Sequence, residues 1–340
     1  MSRTARRPAT VALCALAALT VAWPISAWSA SGSDSADARE AARLVQRTRN
    51  AASRYDFSGT AVVTWTTGTG TRETQVEVHG DDGTLEIVAA DGGTVVDEGR
   101  RTYLRNKLGW TGALVEPAPG QLPSPTHRWN LTTAAGRTVA GRPTTVVVAS
   151  RPDGTPAQRL FVDDATGLLL GRQVLGPDGH VQRSVRFLTV DIGALGEPVA
   201  APRGVHNATA KALSSTPDGY RAPESLDGYE LVTRSRHPDG VLLFYSDGVF
   251  TASVFEQQGE LDWSALPDGG STSELAGTRA HTYHEPSGTV VVWERNGLVY
   301  TCVSDAPSDV FRGMVDELAG GGRSTAQSIV DFVLGPFGWG

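Results

Sequence analysis

The sequence predicts an α+β fold that is mostly antiparallel β, and two observations carry that prediction. Residues 243–255 (LFYSDGVFTASVF) hold two apolar runs of period two around a Ser-Asp-Gly turn. Alternation around an Asp-Gly pair is the strongest short-range hairpin signal in a sequence. Turn residues also punctuate residues 57–192 at short intervals, and no helical pattern alternates with the strands. That order favours antiparallel meanders over a parallel sheet.

The first 30 residues are predicted to be a signal peptide or an N-terminal anchor. Arg3, Arg6 and Arg7 give a positively charged start, and an apolar run follows at residues 11–22. This order is typical of a secretory signal. The run is short for a membrane-spanning helix, which needs about 20 apolar residues. We therefore expect the chain outside the cytoplasm, either free after cleavage or anchored through this segment.

Length and composition limit the classes of function. The chain has 340 residues and a formal net charge of −7; as a soft prior, this length suggests about two domains. An acidic chain is repelled by a phosphate backbone, so we expect no nucleic-acid partner. Cys14 lies in the apolar run of the export segment, which leaves Cys302 as a predicted buried thiol without an intrachain disulfide partner after cleavage.

The first domain is predicted over residues 35–193, with one amphipathic helix at residues 33–55 and about ten strands after it. The apolar stripe of that helix has helical spacing: Ala41, Leu44, Val45, Thr48 and Ala52. The predicted strands include one at residues 138–139. A helix followed by a long meander predicts a curved sheet that wraps partly around the helix. Such a sheet can enclose a small-molecule cavity on an apolar concave face.

The candidate ligand-binding residues are apolar or aromatic side chains on this predicted concave face. They are Trp65, Val76, Leu85, Ile87, Tyr103, Trp110, Val146, Leu160 and Phe187. Two interpretations stay open. The side chains either line a pocket for an apolar ligand or pack on one another as a filled core.

A linker at residues 194–219, with a short helix proposed at residues 208–213, leads to a smaller α+β domain at residues 220–320. Its strands are predicted at residues 229–236, 241–245, 249–257, 279–285, 289–295 and 298–304. One helix follows, with a stripe of Val310, Phe311, Met314, Val315 and Leu318. The apolar tail at residues 321–340 ends in two aromatic residues. It either docks on its own domain, touches a membrane surface or plugs a cavity.

The chain shows no pattern of catalytic or metal-binding chemistry, so we expect neither an enzyme nor a cofactor. There is no nucleophile elbow and no phosphate-binding loop of the Walker type. His281 and His284 stand three residues apart on a predicted strand, where such residues face opposite sides. We therefore expect no metal site there.

Several motifs resemble one family. Residues 245–248 (YSDG) followed by residues 252–255 (ASVF) and residues 276–281 resemble the second domain of the RseB/MucB proteins, the exported regulators of extracytoplasmic sigma-factor signalling. Residues 55–60 (YDFSGT) and residues 160–169 (LFVDDATGLL) resemble the lipoprotein-carrier-like first domain of that family. The resemblance covers roughly residues 38–320.

The resemblance implies a first domain that is an open β-barrel, similar to lipoprotein carriers, and a smaller second domain. It implies binding to the extracytoplasmic part of a membrane anti-sigma factor, which is then shielded from proteolysis until a lipid or lipoprotein binds. Tyr245, Asp247 and Phe255 of the signature are the candidate partner-binding residues. The alternative is a lipid or lipoprotein carrier without a regulatory partner.

Overall fold

The computed structural model describes residues 36–90, 92–98, 101–106, 109–115, 123, 128–193, 211–237 and 240–320. The predicted signal or anchor at residues 1–30, most of the predicted linker and the tail at residues 321–340 lie outside this description. The described chain forms two antiparallel sheets and two helices. The predicted α+β, mostly antiparallel fold is confirmed.

Helix α1 (Ala36–Ala52) precedes the first sheet and ends three residues before the predicted end at residue 55, while residues 33–35 of the predicted segment lie outside the described residues. Eleven strands follow: β1 (Phe57–Thr67), β2 (Gly70–Asp81), β3 (Thr84–Ala89), β4 (Thr94–Asp97), β5 (Arg101–Asn106), β6 (Gly109–Val115), β7 (Asn130–Ala135), β8 (Thr144–Ser150), β9 (Pro156–Asp163), β10 (Leu169–Leu175) and β11 (Val181–Ile192).

The first sheet is an open meander. Its order is β6-β5-β4-β3-β2-β1-β11-β10-β9-β8-β7, so the first and last strands of the meander pair in its centre. Strands β6 and β7 follow each other in the chain and form the two edges of the sheet. No pairing between these described strands closes the sheet into a complete barrel. The prediction of an open first sheet is confirmed.

Local turn chemistry explains much of this meander. Asp82 and Gly83 have φ angles of 44° and 80° and join β2 to β3. Two successive positive φ angles are the geometry of the hairpin turn that Asp-Gly favours. The predicted strand at residues 138–139 was wrong: Val139 makes only an isolated bridge to Arg142. Strand β7 was not anticipated, because its sequence NLTTAA is mostly exposed and lacks an apolar face.

The second sheet contains β12 (Lys211–Ala212), β13 (Ser225–Leu226), β14 (Tyr229–His237), β15 (Gly240–Ser246), β16 (Thr251–Gln258), β17 (Ser271–Leu275), β18 (Thr278–Glu285), β19 (Gly288–Arg295) and β20 (Leu298–Ser304). The order is β12-β14-β15-β16-β20-β19-β18-β17, and β13 pairs with β14. The predicted hairpin is the β15–β16 pair. The proposed helix at residues 208–213 was wrong where it is described, since Lys211 and Ala212 pair with β14.

Helix α2 (Ser308–Gly320) ends the described chain, and every residue of its predicted apolar stripe is buried. The two sheets share one buried cluster with both helices. It contains Leu44 and Val45 of α1, Leu160 of the first sheet and Tyr229 of the second. Between the sheets, the Trp129 and Phe250 rings pack edge to face at 5.2 Å. The two sheets are therefore separate by strand pairing but joined by their core.

Leu243→Ala tests this core. The Leu243 side chain is fully buried on β15, so its truncation should lower the free energy of unfolding by about 2–5 kcal/mol. Leu188→Ala is the matched control, because Leu188 is 40% exposed on β11; we expect a change within about 0.5 kcal/mol. Urea unfolding followed by circular dichroism measures both. Equal effects of the two substitutions would contradict the burial described here.

Candidate binding site

Most of the predicted ligand-binding residues meet in one apolar cluster of the first sheet. Val76, Ile87, Val146 and Phe187 are at most 6% exposed there. Trp65 and Leu85 are partly buried and pack against the same cluster. The cluster joins strands that are far apart in sequence, because β1 pairs with both β2 and β11.

Strand register separates Leu160 from Val146. Leu160 lies opposite Val147, while Val146 lies opposite Phe161. Directly opposed residues of antiparallel strands share a face, and adjacent residues of one strand do not. Leu160 therefore lies on the face that packs against α1, in the cluster shared with the second sheet. One face does not hold both residues, which corrects the expectation of a single concave lining.

Tyr103 and Trp110 belong to β5 and β6, where the backbone pairs them with Val96 and Arg105. Their side chains lie outside the described residues. The structure thus neither adds them to the apolar cluster nor separates them from it, and their role in ligand binding stays a prediction.

An open cleft lies over β7, β8 and β9 on the face of Val146, next to the apolar cluster, and sequence reasoning missed it as a site. Its volume is about 370 Å³. It is lined by Ala134, Ala135, Gly136, Arg137, Val146, Val148, Arg159, Phe161 and Gln173. Apolar side chains form its floor, and two arginines, Arg137 and Arg159, also line it. The signal in the sequence was the consecutive apolar residues of β8 and β9, which place apolar side chains on both faces of the sheet.

The candidate partner-binding residues occupy different environments. The Tyr245 side chain is fully buried, and its hydroxyl donates to the Pro223 carbonyl at 3.0 Å. Asp247 is also fully buried. Its carboxylate accepts from the backbone N–H groups of Val249 and Phe250 at 2.9 and 2.7 Å. Asp247 therefore shapes the β15–β16 loop from inside, Tyr245 holds the segment before β13 to β15, and both side chains are out of reach of a partner.

Phe255 is the one of these three that is partly exposed. It lies on β16, and its ring packs edge to face on His237 at 5.2 Å. Its position on the surface of the second sheet leaves it available to a partner. Partner binding by this residue stays a prediction.

Buried charges connect the two sheets. The Arg172 guanidinium of β10 donates to the Asp305 carboxylate at 2.5 Å, with side chains 6% and 1% exposed. The other Asp305 oxygen accepts from the Thr251 N–H at 2.7 Å. Arg183 of β11 donates to the carbonyls of Asp305 and Ala306. Cations of the first sheet are thereby matched to acceptors at the end of β20.

A second group of contacts holds helix α2 to the same strands. Arg151 pairs with Asp309 at 3.1 Å, and the Ser308 N–H donates to the Gln182 side chain at 3.1 Å. Asp309 lies in the first turn of α2, where a carboxylate suits the positive end of the helix dipole. The start of α2 is therefore tied to the first sheet by charge and hydrogen bonding.

Two buried carboxyl groups of the second sheet have raised pKa values. Burial raises the pKa of Asp247 to about 6, against the lowering effect of its two backbone donors. Burial also raises the pKa of Glu256 on β16 to about 7, although its Oε2 accepts from the Arg221 N–H at 2.8 Å. Both groups hold their protons to a higher pH in the folded chain than carboxyls in water do.

The described residues contain no group of three or more His, Cys, Asp or Glu side chains that could hold a metal ion. His281 and His284 lie opposite Val292 and Thr289 on β18 and so face opposite sides of the sheet, as predicted. Burial raises the pKa of the Cys302 thiol well above its usual range, which leaves it unreactive. No helix among the described residues has the length and apolar character needed to span a membrane.

Among solved structures, the chain is similar to the MucA/MucB complex of Pseudomonas aeruginosa, with 20% identity and a TM-score of 0.47 over 81% of this chain and 97% of that one. A crystal structure of MucB gives 19% identity and a TM-score of 0.49 over 82% and 96% of the two chains. A LolA superfamily protein of Nitrosomonas europaea gives 9% identity and a TM-score of 0.22 over 80% and 96%.

No protein-family model matches this chain, and no curated protein matches it. Identities and TM-scores of this size carry neither a ligand nor a partner from those proteins to this one. The geometry of the chain itself has to support any functional assignment.

Arg172→Met tests the buried connection between the sheets. It leaves the Asp305 carboxylate, 1% exposed, without its cation, so we expect a loss of about 3–5 kcal/mol in the free energy of unfolding. Arg43→Met is the control, because Arg43 is 77% exposed beside Glu40; its removal should cost no more than about 0.5 kcal/mol. Denaturant titration measures both.

Adding Asp305→Asn to Arg172→Met removes the unpaired charge, so the double variant should be more stable than Arg172→Met alone. If Arg172→Met unfolds at the same denaturant concentration as Arg43→Met, the buried pair does not stabilise the molecule.

The raised pKa values predict a pH dependence of stability. The folded chain binds more protons than the unfolded chain between the ordinary carboxyl values of 3.8 and 4.5 and the folded values of about 6 and about 7. Stability should therefore fall as the pH rises through this window and stay lower above it. Asp247→Asn combined with Glu256→Gln should flatten this part of the curve.

Thermal unfolding at closely spaced pH values measures the effect. Glu230→Gln is the control, because Glu230 is exposed on β14, and it should leave the slope between pH 4 and 7 unchanged. A double variant with the slope of the wild-type chain would contradict the assignment of these two groups.

Proposed function

We propose that this chain is an exported regulatory binding protein. Its first sheet takes up an apolar ligand such as a lipid or a lipoprotein acyl chain. Its second sheet contacts the extracytoplasmic part of an anti-sigma factor, and occupancy of the first sheet modulates that contact.

One observation carries the ligand part of the proposal: an apolar cluster on a sheet that is not closed. Val76, Ile87 and Phe187 are at most 2% exposed, and Trp65 and Leu85 are partly buried beside them. Among the described strands, β6 and β7 are the two edges of the sheet and do not pair with each other, so no ladder between them has to break when the cluster admits a ligand. This combination suits an acyl chain.

The energy scale fits such a ligand. Burying an acyl chain contributes about 0.8 kcal/mol per methylene group. A chain of about ten buried methylenes would thus contribute roughly 8 kcal/mol before the cost of opening the cluster. This is comparable to the binding energy of a micromolar complex, about 8 kcal/mol, so a lipid is able to compete with a protein contact of that strength.

The partner part rests on the β15–β16 hairpin, whose sequence resembles the second-domain signature of the exported sigma-factor regulators. Asp247 fixes its loop from within, Tyr245 ties β15 to Pro223, and Phe255 presents a partly exposed ring. The hairpin occupies the middle of the second sheet, between β14 and β20. A rigid strand pair with an aromatic side chain at its surface supports a protein contact.

Native mass spectrometry tests the ligand. The chain purified without detergent should carry the added mass of a lipid. Trp65→Asp introduces a charge at the rim of the apolar cluster and should lower that occupancy at least about tenfold. Leu188→Asp is the matched control on the same sheet, because Leu188 is 40% exposed. A wild-type chain that reproducibly carries no lipid would contradict the ligand-binding part of the proposal.

The same instrument tests the partner. The extracytoplasmic domain of an anti-sigma factor from the same genome should form a one-to-one complex with the chain, and bound lipid should lower the fraction of complex. A chain that carries lipid and never retains this domain would be a carrier instead of a regulator.

A further inference from the structure

The open cleft over β7, β8 and β9 and the edge strand β7 form one surface. Register places Ala134 of β7 opposite Val146 of β8, and Val146 opposite Phe161 of β9. These side chains lie in one row on one face. Helix α1 packs in the cluster of Leu131 and Val147, which alternate onto the other face. The surface therefore lies away from α1 and the second sheet.

The small side chains of β7 keep this row open at the edge. Ala134 and Ala135 are exposed and line the cleft with Gly136. A side chain beyond the edge of β7 can reach over Ala134 toward Val146 and Phe161. Ala134 is thus the accessible end of this row, and Val146 and Phe161, each 6% exposed, are its buried floor.

The backbone of β7 offers unpaired hydrogen-bonding groups along this edge. The Gly136 N–H donates to the Thr144 carbonyl at 2.9 Å, which fixes the phase of the β7–β8 ladder. In an antiparallel pair, hydrogen-bonded and non-hydrogen-bonded residues alternate. Leu131, Thr133 and Ala135 therefore direct their N–H and C=O groups away from β8. None of these groups bonds to another group in the described part of the chain.

Two cations without an acidic partner stand at the same cleft. The Arg137 guanidinium lies over the Phe161 ring at 4.9 Å. Arg159 lies in the row of Val148 and Gln173. Among the described residues, neither guanidinium forms an ion pair with a carboxylate. Two free guanidinium groups in a chain with net charge −7 indicate that the occupant is anionic.

We infer that an extended acidic segment of another protein adds to the sheet beside β7, with side chains of alternate residues in the open cleft. Its backbone pairs with Leu131, Thr133 and Ala135. One apolar side chain lies over Ala134 and against Val146. Flanking carboxylates bind Arg137 and Arg159.

The open backbone edge favours a peptide over an anionic amphiphile. Strand addition pairs the backbone N–H and C=O groups of the three outward-facing residues. The cleft beside the edge then selects the side chains of alternate peptide residues. An amphiphile would fill the cleft and meet the arginines but leave those backbone groups unpaired. Only an extended peptide pairs with the backbone edge of β7 and also binds the two arginines.

This inference rests on the proposal that the chain binds a protein partner, and it adds a contact on the first sheet to the one proposed on the second. The cleft shares Val146 and Phe161 with the apolar cluster. The cleft lies on the face opposite Leu160 and α1. Failure to find bound lipid would leave it unaffected, because its test uses a synthetic peptide and neither a lipid nor an anti-sigma factor.

The test uses the peptide Thr-Asp-Thr-Leu-Thr-Asp-Thr, capped at both ends and labelled with a fluorophore. Its Asp and Leu side chains share one face and its Thr side chains share the other. Fluorescence anisotropy should give a dissociation constant below about 1 mM. The peptide with Lys in place of Asp should bind at least about tenfold more weakly.

The backbone contribution is tested separately. A peptide that is N-methylated at its two inner threonines keeps every charge but loses the donors that face β7, so it should bind at least about tenfold more weakly. In hydrogen exchange followed by NMR, the amides of Leu131, Thr133 and Ala135 should gain protection when the unmodified peptide binds.

Variants locate the site. Arg137→Ala and Arg159→Ala should each weaken binding of the acidic peptide by at least about fivefold, which is about 1 kcal/mol. Arg39→Ala is the matched control, because Arg39 is exposed on α1 and carries the same charge. It should leave the dissociation constant unchanged.

Three results would overturn the inference. One is equal binding of the acidic and Lys peptides, or no binding of either. Another is equal binding of the N-methylated peptide, which would show that the edge is not used. The last is protection of the cleft by dodecyl phosphate with no peptide binding, which would assign the arginines to a lipid headgroup.

Discussion

The arrangement of the two sheets depends on a salt bridge that is buried between them. Arg172 and Asp305 come from different sheets and are almost excluded from water. Removal of either partner leaves a buried charge without its ion-pair partner, so the pair is stable only when both sheets are in place. Arg183 adds contacts to the backbone of Asp305 and Ala306. A shared apolar core alone would permit one sheet to slide over the other. These directed bonds fix the position of one sheet relative to the other.

This arrangement decides which surfaces of the first sheet stay available. The face that holds Val147 and Leu160 is covered by α1 and the second sheet, with which it shares a core. The opposite face of the same strands keeps a cleft between Val146, Phe161 and the edge strand. The apolar cluster around Val76 and Phe187 lies toward the middle of the sheet. Val146 and Phe161 belong to both, so the proposed ligand site and the proposed protein contact adjoin on one face of the sheet.

Local patterns predicted the elements well and their relations poorly. Strand β20 has the predicted bounds, Leu298 and Ser304, because alternation and flanking turns are local signals. The faces of Leu160 and Val146 depend on the register between β8 and β9, which shifts at a bulge near Ser150. Arg172 and Asp305 are 133 residues apart, and no local pattern relates them. The burial of Tyr245 was likewise invisible, since alternation does not show which faces are covered.

Strands β8 and β9 carry apolar side chains on both faces. They therefore link the face in the shared core to the face that holds the cleft. Leu160 and Phe161 are neighbours on one backbone, yet one belongs to the shared core and the other to the cleft floor. Close-packed interiors transmit displacement instead of absorbing it. A ligand or partner that moves Leu160 must therefore also move Phe161 and the Arg137 guanidinium above it. The same two strands that carry the core are thus the shortest physical route between the covered face and the open one.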